Sequence, residues 1–271
     1  PNNSSRWYSG AGIYRNVWLV KTNPIQIGQW GTYITAKNIT ESSATLDLEV
    51  TIENGTESAA DIAINTSVYE LNAYGSWESK SIVDFPEVLL ESTAKNINKE
   101  IISVDLKNPK LWGPRPTQTP NLYLAVTSLT QNGKIIDRYE TQFGIRQVEF
   151  NPDKGLFVNG EHIRIQGVNQ HHDLGSLGAA FNIRAAERQL EMLQEAGCNA
   201  IRIAHNPPSP ELLKLTDRMG FLVVNEIFDS WERKKTPLDF HLIFNDWAEA
   251  EIRSFVRRDR NHPSVILWSY G

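Results

Sequence analysis

The sequence predicts a chain of two structural parts, an immunoglobulin-like antiparallel β-sandwich followed by the first half of a (β/α)8 barrel, or TIM barrel. Between Thr32 and Phe150, apolar and polar residues alternate between turn residues, which is typical of half-buried strands. After Phe150, apolar strands alternate with helical patterns, which indicates a parallel sheet. The length of 271 residues agrees with more than one domain, since roughly 150 residues make one domain.

The composition is that of a globular protein suited to a neutral ligand. Hydrophobic residues make up 40% and charged residues 22%, which excludes collagen, coiled coils and disorder. The net charge of −5 argues against nucleic acid or an anionic membrane as the main partner. The single cysteine, Cys198, excludes an internal disulfide framework and a cysteine-rich metal site. Eight tryptophans are the one excess, and such rings stack on the apolar faces of sugars or fill cores.

Membrane-spanning and targeting segments are not visible in the sequence. No stretch approaches the roughly 20 apolar residues that cross a bilayer, and no apolar signal segment opens the chain. The chain begins with Pro1 rather than methionine. A cytoplasmic location and a periplasmic one after removal of a leader therefore both stay open.

The strands of the sandwich follow from apolar residues at every second position. Residues 44–52 alternate over their whole length. The further predicted strands are residues 62–71, 97–106, 122–129 and 134–142. The pairs Asn54-Gly55 and Asn132-Gly133 predict hairpin turns, because both residue types tolerate the positive φ of a tight hairpin. Short strands without helices between them, over about 120 residues, favour a sandwich of immunoglobulin size.

The second part begins with a predicted hairpin over residues 155–165, whose turn is Asn159-Gly160. A first helix ends at Gly197 and has its core-facing residues at Ile183, Ala186, Leu190 and Leu193. A second helix begins after Ser209, with Pro210 in its first turn, and ends at Gly220. A third helix is predicted over residues 244–257. The strands that separate these helices are residues 200–204, 221–224 and 265–268.

This order predicts either a doubly wound sheet or a barrel. Residues 175–178, Gly-Ser-Leu-Gly, lack the glycine spacing of a phosphate-binding fingerprint, which favours the barrel. About four strands cannot close a barrel, so we expect open sheet edges. We also expect Ile203, Val223 and Trp268 to point into the barrel interior, and the chain to self-associate or dissolve poorly.

Polar and aromatic residues follow the predicted parallel strands at their carboxyl ends, where barrel enzymes carry their active sites. The candidate substrate-binding residues are Asn169, His171, His172 and Asp173 after the first strand, Arg202, His205 and Asn206 in and after the second, Glu226, Asp229 and Trp231 after the third, and Trp268 in the fourth. Because these strand ends meet at one rim, we expect the side chains to form one site.

The candidate site could bind a metal ion, and it contains an arginine that needs a partner of opposite charge. His171, His172, Asp173, His205 and Glu226 could supply zinc ligands. Adjacent histidines on extended backbone point to opposite sides, however, so we expect neither a metal nor a cofactor. Arg202 on a central strand must pair with a carboxylate, since a buried unpaired charge is costly. Its partner is either structural, with Glu226 as the candidate, or a catalytic carboxylate that Arg202 orients.

Two long segments resemble signature segments of glycoside hydrolase family 2, the β-galactosidase, β-glucuronidase and β-mannosidase family. They are residues 199–207, continuing to 217–220, and residues 259–271. Shorter similarities lie at residues 7–19, 111–113 with 120–123, and 143–146. The resemblance implies that residues 1–23 end a jelly-roll sugar-binding domain, that 24–146 form the immunoglobulin-like sandwich, and that 147–271 form the first half of the TIM barrel.

The resemblance also implies roles for individual residues. His171 and His205 match histidines that contact the sugar, Arg202 an arginine that bonds the nucleophilic glutamate, and Glu226 a pocket glutamate. The family often has tyrosine at Asn206, and a magnesium-binding glutamate of some members falls at Ser230. The implied reaction is retaining hydrolysis by two carboxyl groups. The family's acid/base glutamate would follow soon after Gly271 and the nucleophile later, so we expect no catalytic residue within the chain and no turnover by it alone.

Segment 172–180 is most similar to bacterial β-galactosidase-type members, which predicts a β-linked oligosaccharide or glycoside as substrate. A β-glucuronidase or β-mannosidase of the same family is the first alternative. A non-catalytic carbohydrate-binding or scaffold protein, in which the sandwich binds the sugar, is the second. A homo-oligomer stays open.

Overall fold

The computed structural model describes Ile13 and residues 15–271. These residues form two compact units. The sandwich unit consists of Leu19–Gly113 and Pro120–Gln147, and the half-barrel unit of Pro114–Thr119 and Val148–Gly271 with the described residues before Leu19. The predicted jelly-roll strand over residues 7–19 lies mostly outside the described residues, and residues 16–23 have no regular secondary structure.

The sandwich unit contains two antiparallel sheets. The first has the order β1-β2-β6 and consists of β1 (Ile25–Lys37), β2 (Ser43–Asn54) and β6 (Asn96–Lys107). The second has the order β4-β3-β7-β8 with β5 paired to β3. Its strands are β3 (Ala60–Leu71), β4 (Val83–Asp84), β5 (Val88–Ser92), β7 (Leu122–Gln131) and β8 (Lys134–Phe143). The predicted β-sandwich is therefore confirmed.

The core between the two sheets is formed by the alternating apolar residues. Leu46, Leu48 and Ile52 of β2 are fully buried, while the residues between them face outward. From the second sheet, Ile64 and Leu129 are equally buried and belong to the same cluster. Strand side chains alternate between faces, so a period of two places one whole set inside.

One of the two hairpin turns predicted for the sandwich is wrong. Asn132 and Gly133 have φ of 51° and 72° and join β7 to β8, as predicted. The chain after Asn54 instead crosses to the other sheet, since β2 pairs with β6 and β3 pairs with β7. The Asn54 amide stabilises this crossing, because its Nδ2 donates to the carbonyl oxygens of Ser58 (3.1 Å) and Ser92 (3.0 Å).

The half-barrel unit opens with a small antiparallel sheet of β9 (Val148–Asn151), β10 (Gly155–Val158) and β11 (Glu161–His162). Asn159 and Gly160, with φ of 54° and 79°, form the predicted turn. A four-stranded parallel sheet follows, with the order β12-β13-β14-β15. Its strands are β12 (Gly167–Gln170), β13 (Ala200–Ile203), β14 (Leu222–Glu226) and β15 (Val265–Ser269). In the part of the chain that the structure describes, this sheet stays open, as predicted for half a barrel.

Three helices connect the parallel strands: α1 (Ile183–Glu195), α2 (Pro210–Met219) and α3 (Phe244–Asp259). Gly197 (φ 86°) and Gly220 (φ 76°) end the first two in left-handed backbone, as predicted. Ala186 and Leu190 of α1 are buried as expected, but Ile183 is 53% exposed and not part of the core. In residues 13 and 15–271, no helix is both long enough and apolar enough to cross a membrane.

The parallel sheet has an outer face, covered by helices, and an inner face. Ile203 and Val223 pack in one cluster with residues of α1 and α2, so they lie on the outer face. Trp268 pairs in register with Asn225 and sets its ring against Phe255 of α3 at 5.2 Å between centroids. The expectation that Ile203, Val223 and Trp268 point inward is therefore wrong. Alternation places the neighbouring positions on the inner face instead.

A buried polar cluster joins α2 to the start of β15. The His262 Nδ1 lies 2.5 Å from Oδ2 of Asp217, and the Ser264 backbone N–H (3.1 Å) and hydroxyl (2.6 Å) donate to its Oδ1. Burial alone would lower the pKa of His262, but the Asp217 carboxylate outweighs it and holds that pKa above its ordinary value. This agrees with a structural role for His262, at the opposite end of the sheet from the candidate site.

The raised pKa of His262 predicts a loss of stability at alkaline pH. The protonated pair contributes fully below the unfolded-state pKa of about 6.5, and its contribution is lost as the pH rises through the higher folded-state value. We expect the free energy of unfolding to fall as the pH rises above about 6.5, and to fall less in His262→Asn, by chemical denaturation at each pH. Equal pH dependence in both proteins would contradict this assignment.

Candidate functional site

The candidate site lies where the parallel strands end on the inner face of the sheet. Asn169, Arg202 and Val224 are register partners on β12, β13 and β14, so their side chains share that face. Glu226 lies two residues after Val224, on the same face, and pairs in register with Ser269 of β15. The strand order thus brings four consecutive carboxyl ends together, as the sequence predicted.

A buried carboxylate forms the centre of the site. Glu226 is 0% exposed. Its Oε2 lies 2.6 Å from Arg202 Nη2 and accepts from the Ser269 hydroxyl at 2.8 Å, while its Oε1 lies 2.6 Å from His205 Nδ1. Three donors therefore hold one buried carboxylate, which offsets the cost of its desolvation. The structural pair foreseen for Arg202 is present. Ser269 was not among the predicted site residues, although its place at a strand end could have identified it.

Two further side chains surround this cluster. Arg202 Nη1 donates to the Asn169 side-chain oxygen at 3.3 Å. The rings of His171 and His205 meet edge to face, with centroids 5.4 Å apart. The Arg202 side chain is 34% exposed and that of Glu226 is 0% exposed, so the cluster is buried on the Glu226 side and partly open on the arginine side. Of the predicted residues, Asn169, His171, Arg202, His205 and Glu226 thus come together.

His172 lies apart from this cluster. Its Nε2 is 2.9 Å from the backbone oxygen of Asn206 and its Nδ1 is 3.1 Å from Arg15 Nη2. Since the arginine can only donate, Nδ1 accepts and Nε2 donates. Burial, and then the Arg15 charge, lowers the pKa of His172 to about 4. His172 is therefore a neutral connection between two strand-end loops. Asp173 lines a small cavity beside it, and the Asn206 side chain is exposed.

The loop after β14 brings an aromatic ring to the rim. Trp231 stacks on Tyr270 with centroids 5.7 Å apart and donates its indole N–H to the Tyr270 carbonyl at 2.8 Å. Trp231 is 41% exposed. In the same loop, Asp229 pairs with Lys235 at 2.8 Å.

Asp239 orders the rest of this loop. Its carboxylate accepts from the backbone N–H groups of Lys235, Thr236 and His241 at 2.6–3.0 Å. Although burial alone would raise the Asp239 pKa, these bonds and the His241 ring hold it far below its usual range. Sequence reasoning missed this residue, because an aspartate within a polar loop carries no distinguishing pattern.

The residues considered for zinc do not form a metal site. His171 and His172 contact different neighbours, and both oxygens of Glu226 are occupied by donors. Within residues 13 and 15–271, no group of three His, Cys, Asp or Glu side chains could hold a metal ion. Ser230, the position of the family's magnesium ligand, is buried. Trp268, on the outer face, does not contribute to this inner-face cluster.

Family models match both units of the chain. A model described as Glycosyl hydrolases family 2 matches residues 29–146, and one described as Glycosyl hydrolases family 2, TIM barrel domain, matches residues 151–271. Together they reach from the first strand of the sandwich to the last strand of the parallel sheet.

Individual relatives agree with these models. Over its whole length the chain is 45% identical to a protein of Bacteroides ovatus named beta-galactosidase BoGH2A, and the match covers 30% of that protein. Over 99% of its length the chain is 30% identical to a beta-glucuronidase of Formosa agariphila, and the match covers 27% of that protein. The crystal structure of a glycosyl hydrolase family 2 member from Bacteroides cellulosilyticus matches 97% of this chain with 33% of its own, at 35% identity and a TM-score of 0.89. The chain thus spans about a third or less of these relatives, and it belongs to glycosyl hydrolase family 2.

Proposed function

We propose that this chain supplies one wall of the sugar pocket of a retaining exo-β-glycosidase that acts on β-galactosides. The observation that carries the proposal is the buried Glu226, held by Arg202 and His205 at the carboxyl ends of parallel strands. Barrel enzymes place their active sites at this end of the sheet. The 45% identity to a protein named beta-galactosidase supports the galactoside.

The geometry gives the wall residues distinct tasks. Glu226 is fully buried and its oxygens accept from three donors, so it orients Arg202 and His205 rather than exchanging a proton with substrate. Arg202 keeps an exposed edge with which it could hold a second carboxylate, the nucleophile that the family resemblance assigns to it. His171 and His205 offer ring edges to sugar hydroxyls, and Trp231 offers a face for a sugar ring.

Retaining hydrolysis needs two carboxyl groups about 5–5.5 Å apart, one as nucleophile and one as acid and then base. We assign neither task to Glu226, which is committed to its donors, nor to Asp229, which pairs with Lys235. The pair would come from other parts of a longer protein of the relatives' size. We therefore expect the 271-residue chain to have no turnover by itself.

A β-glucuronidase is the second candidate, because some relatives carry that name. Glucuronide recognition requires a cation for the substrate carboxylate. Of the cations at the described strand ends, Arg202 has its exposed edge assigned to the enzyme's own nucleophile, and Lys235 pairs with Asp229, so neither is assigned to a substrate carboxylate. This assignment favours a neutral sugar over a uronate.

The test is a substrate panel of nitrophenyl β-galactoside, β-glucuronide and β-mannoside, given to the full-length enzyme that carries this chain and to the 271-residue chain. We expect the highest kcat/KM of the enzyme on the galactoside and no hydrolysis by the chain alone. Faster hydrolysis of the glucuronide or mannoside would contradict the galactoside assignment. If the full-length enzyme hydrolyses none of the three substrates, the carbohydrate-binding scaffold is favoured. Turnover by the purified 271-residue chain would contradict our conclusion that neither Glu226 nor Asp229 is a catalytic carboxylate.

A further inference from the structure

A second groove lies on the sandwich unit, at the loop that joins β3 to β4. Its lining includes Glu70, Asn72, Trp77, Glu78, Lys80 and Lys110. The groove has a volume of about 380 Å³, within the range of small-molecule sites. A neighbouring groove that shares Glu70 and Ile82 continues along Asp105, Lys107 and Tyr123.

The loop that carries Trp77 is well ordered by its own hydrogen bonds. The Asn72 side chain accepts from the backbone N–H groups of Tyr74 (2.9 Å) and Ser76 (3.0 Å). The Asn72 N–H donates to the Ser76 carbonyl and the Gly75 N–H to the Asn72 carbonyl, both at 2.9 Å. A loop fixed in this way loses little conformational entropy when a ligand binds. Trp77 is 42% exposed within the groove wall.

The part of the lining around Lys110 is fixed as well. Lys110 Nζ pairs with Glu70 at 2.5 Å. The Tyr123 hydroxyl accepts from the Lys110 N–H (2.7 Å) and donates to the Lys110 carbonyl (3.1 Å). Burial is the main reason that the pKa of Tyr123 rises to about 12, which keeps the hydroxyl neutral. The groove therefore offers donors and acceptors at defined places.

The charges of the groove select the class of ligand. Glu70 and Glu78 are balanced by Lys80 and Lys110, so the lining has no net charge and offers no field for an anion. Protein–protein interfaces are depleted in lysine, glutamate, aspartate and serine, which make up most of this lining. An exposed indole beside carboxylates and ammonium groups of equal number suits a hydroxyl-rich, uncharged ring.

We infer that this groove is a second carbohydrate site, distinct from the strand-end pocket, and that it binds a neutral β-linked oligosaccharide without cleaving it. Trp77 stacks on a sugar ring, and the side chains of Glu70, Asn72 and Lys110 hydrogen-bond its hydroxyls. The site would hold a polymeric substrate on the protein between cleavage events. The choice of a galactan as its ligand rests on the proposed function, whereas the groove itself shares no residue with the strand-end cluster.

The test is affinity electrophoresis of the full-length enzyme that carries this chain, with its strand-end pocket blocked by a galactose-configured inhibitor, in gels that contain soluble β-1,4-galactan, with isothermal titration of β-1,4-galactotetraose. We expect galactan to retard the protein, and Trp77→Ala to bind the tetrasaccharide at least about fivefold more weakly, which corresponds to about 1 kcal/mol for one aromatic contact. Tyr74→Ala is the matched control. Tyr74 is 92% exposed in the same loop but does not line the groove, so this variant should bind like the original protein.

Loss of binding counts only if the thermal unfolding of Trp77→Ala matches that of the original protein. If it does not, Lys110→Ala, which removes an exposed ammonium group assigned to the sugar hydroxyls, provides the second variant and should also weaken binding. No retardation by galactan, or equal binding by the Trp77→Ala and original proteins, would overturn the inference. Concentration-dependent self-association that Trp77→Ala abolishes would also overturn it, because the occupant would then be a second copy. In the full-length enzyme, Trp77→Ala should leave hydrolysis of nitrophenyl β-galactoside unchanged, which separates this site from the proposed pocket.

Discussion

Replacing Arg202 with methionine is expected to lower the opening free energy of the parallel sheet by about 3 kcal/mol, the lower end of the cost of breaking a buried ion pair. The methionine side chain fills similar volume but leaves the buried Glu226 carboxylate without its ionic partner. Native-state hydrogen exchange of the β13 and β14 amides measures this effect locally, without averaging over the sandwich unit.

Arg253→Met is the matched control for this experiment. Arg253 forms an ion pair with Glu249 across one turn of α3, with side chains 73% and 80% exposed. Exposed pairs contribute about 0.5 kcal/mol or less, so the control should barely change exchange. The double variant Arg202→Met with Glu226→Gln should regain part of the loss, because the buried charge is then gone. If Arg202→Met costs no more than Arg253→Met, Glu226 is not a buried carboxylate that needs Arg202.

Replacing Glu226 with glutamine is expected to lower kcat/KM of the full-length enzyme on nitrophenyl β-galactoside by about a hundredfold. Glutamine keeps the shape of the side chain but cannot accept from Arg202, His205 and Ser269 at once, so these side chains shift. Misplacement of pocket groups by about 1 Å is enough for an effect of this size. Steady-state kinetics on the purified variant measures it.

The control is Asp259→Asn. Asp259 is also 0% exposed and bonded by an arginine, Arg258, but it contacts Asn225 on the outer face of the sheet. We expect it to cost stability and to leave kcat/KM within about threefold, a change of less than 1 kcal/mol. A Glu226→Gln enzyme with full activity, or an equal loss in Asp259→Asn, would contradict a specific role for the inner-face cluster.

Local patterns predicted most of the fold. Period-two alternation identified the sandwich strands, and Gly197 and Gly220 marked the helix ends because few other residues adopt left-handed backbone. Asn54-Gly55 wrongly predicted a hairpin between β2 and β3. The strand that follows, β3, pairs with β7, which is distant in sequence, so the turn residues did not determine its partner. The hydrogen bonds of the Asn54 side chain stabilise a connection between two sheets, so an asparagine at this point does not by itself indicate a hairpin.

The sequence indicated which residues cluster at the strand ends, but it indicated only partly which way their side chains point. Strand-end position grouped Asn169, His171, Arg202, His205 and Glu226, which lie together in the structure, and their part in substrate binding stays a prediction. In the apolar strands of a parallel sheet both faces are buried, so hydropathy does not reveal which alternate residue points inward. For this reason Trp268 was placed on the wrong face, and the turn of His172 toward Asn206 was not foreseen.

The most direct test of the proposed pocket is a crystal structure of the full-length enzyme with a galactose-configured inhibitor bound. We expect the sugar on the inner face of the parallel sheet, with hydroxyls within about 3.2 Å of the His171 or His205 ring nitrogens. We also expect Arg202 to bridge Glu226 and a second carboxylate. An inhibitor that binds only outside this inner-face cluster, with His205 and Arg202 beyond hydrogen-bonding distance, would contradict the account.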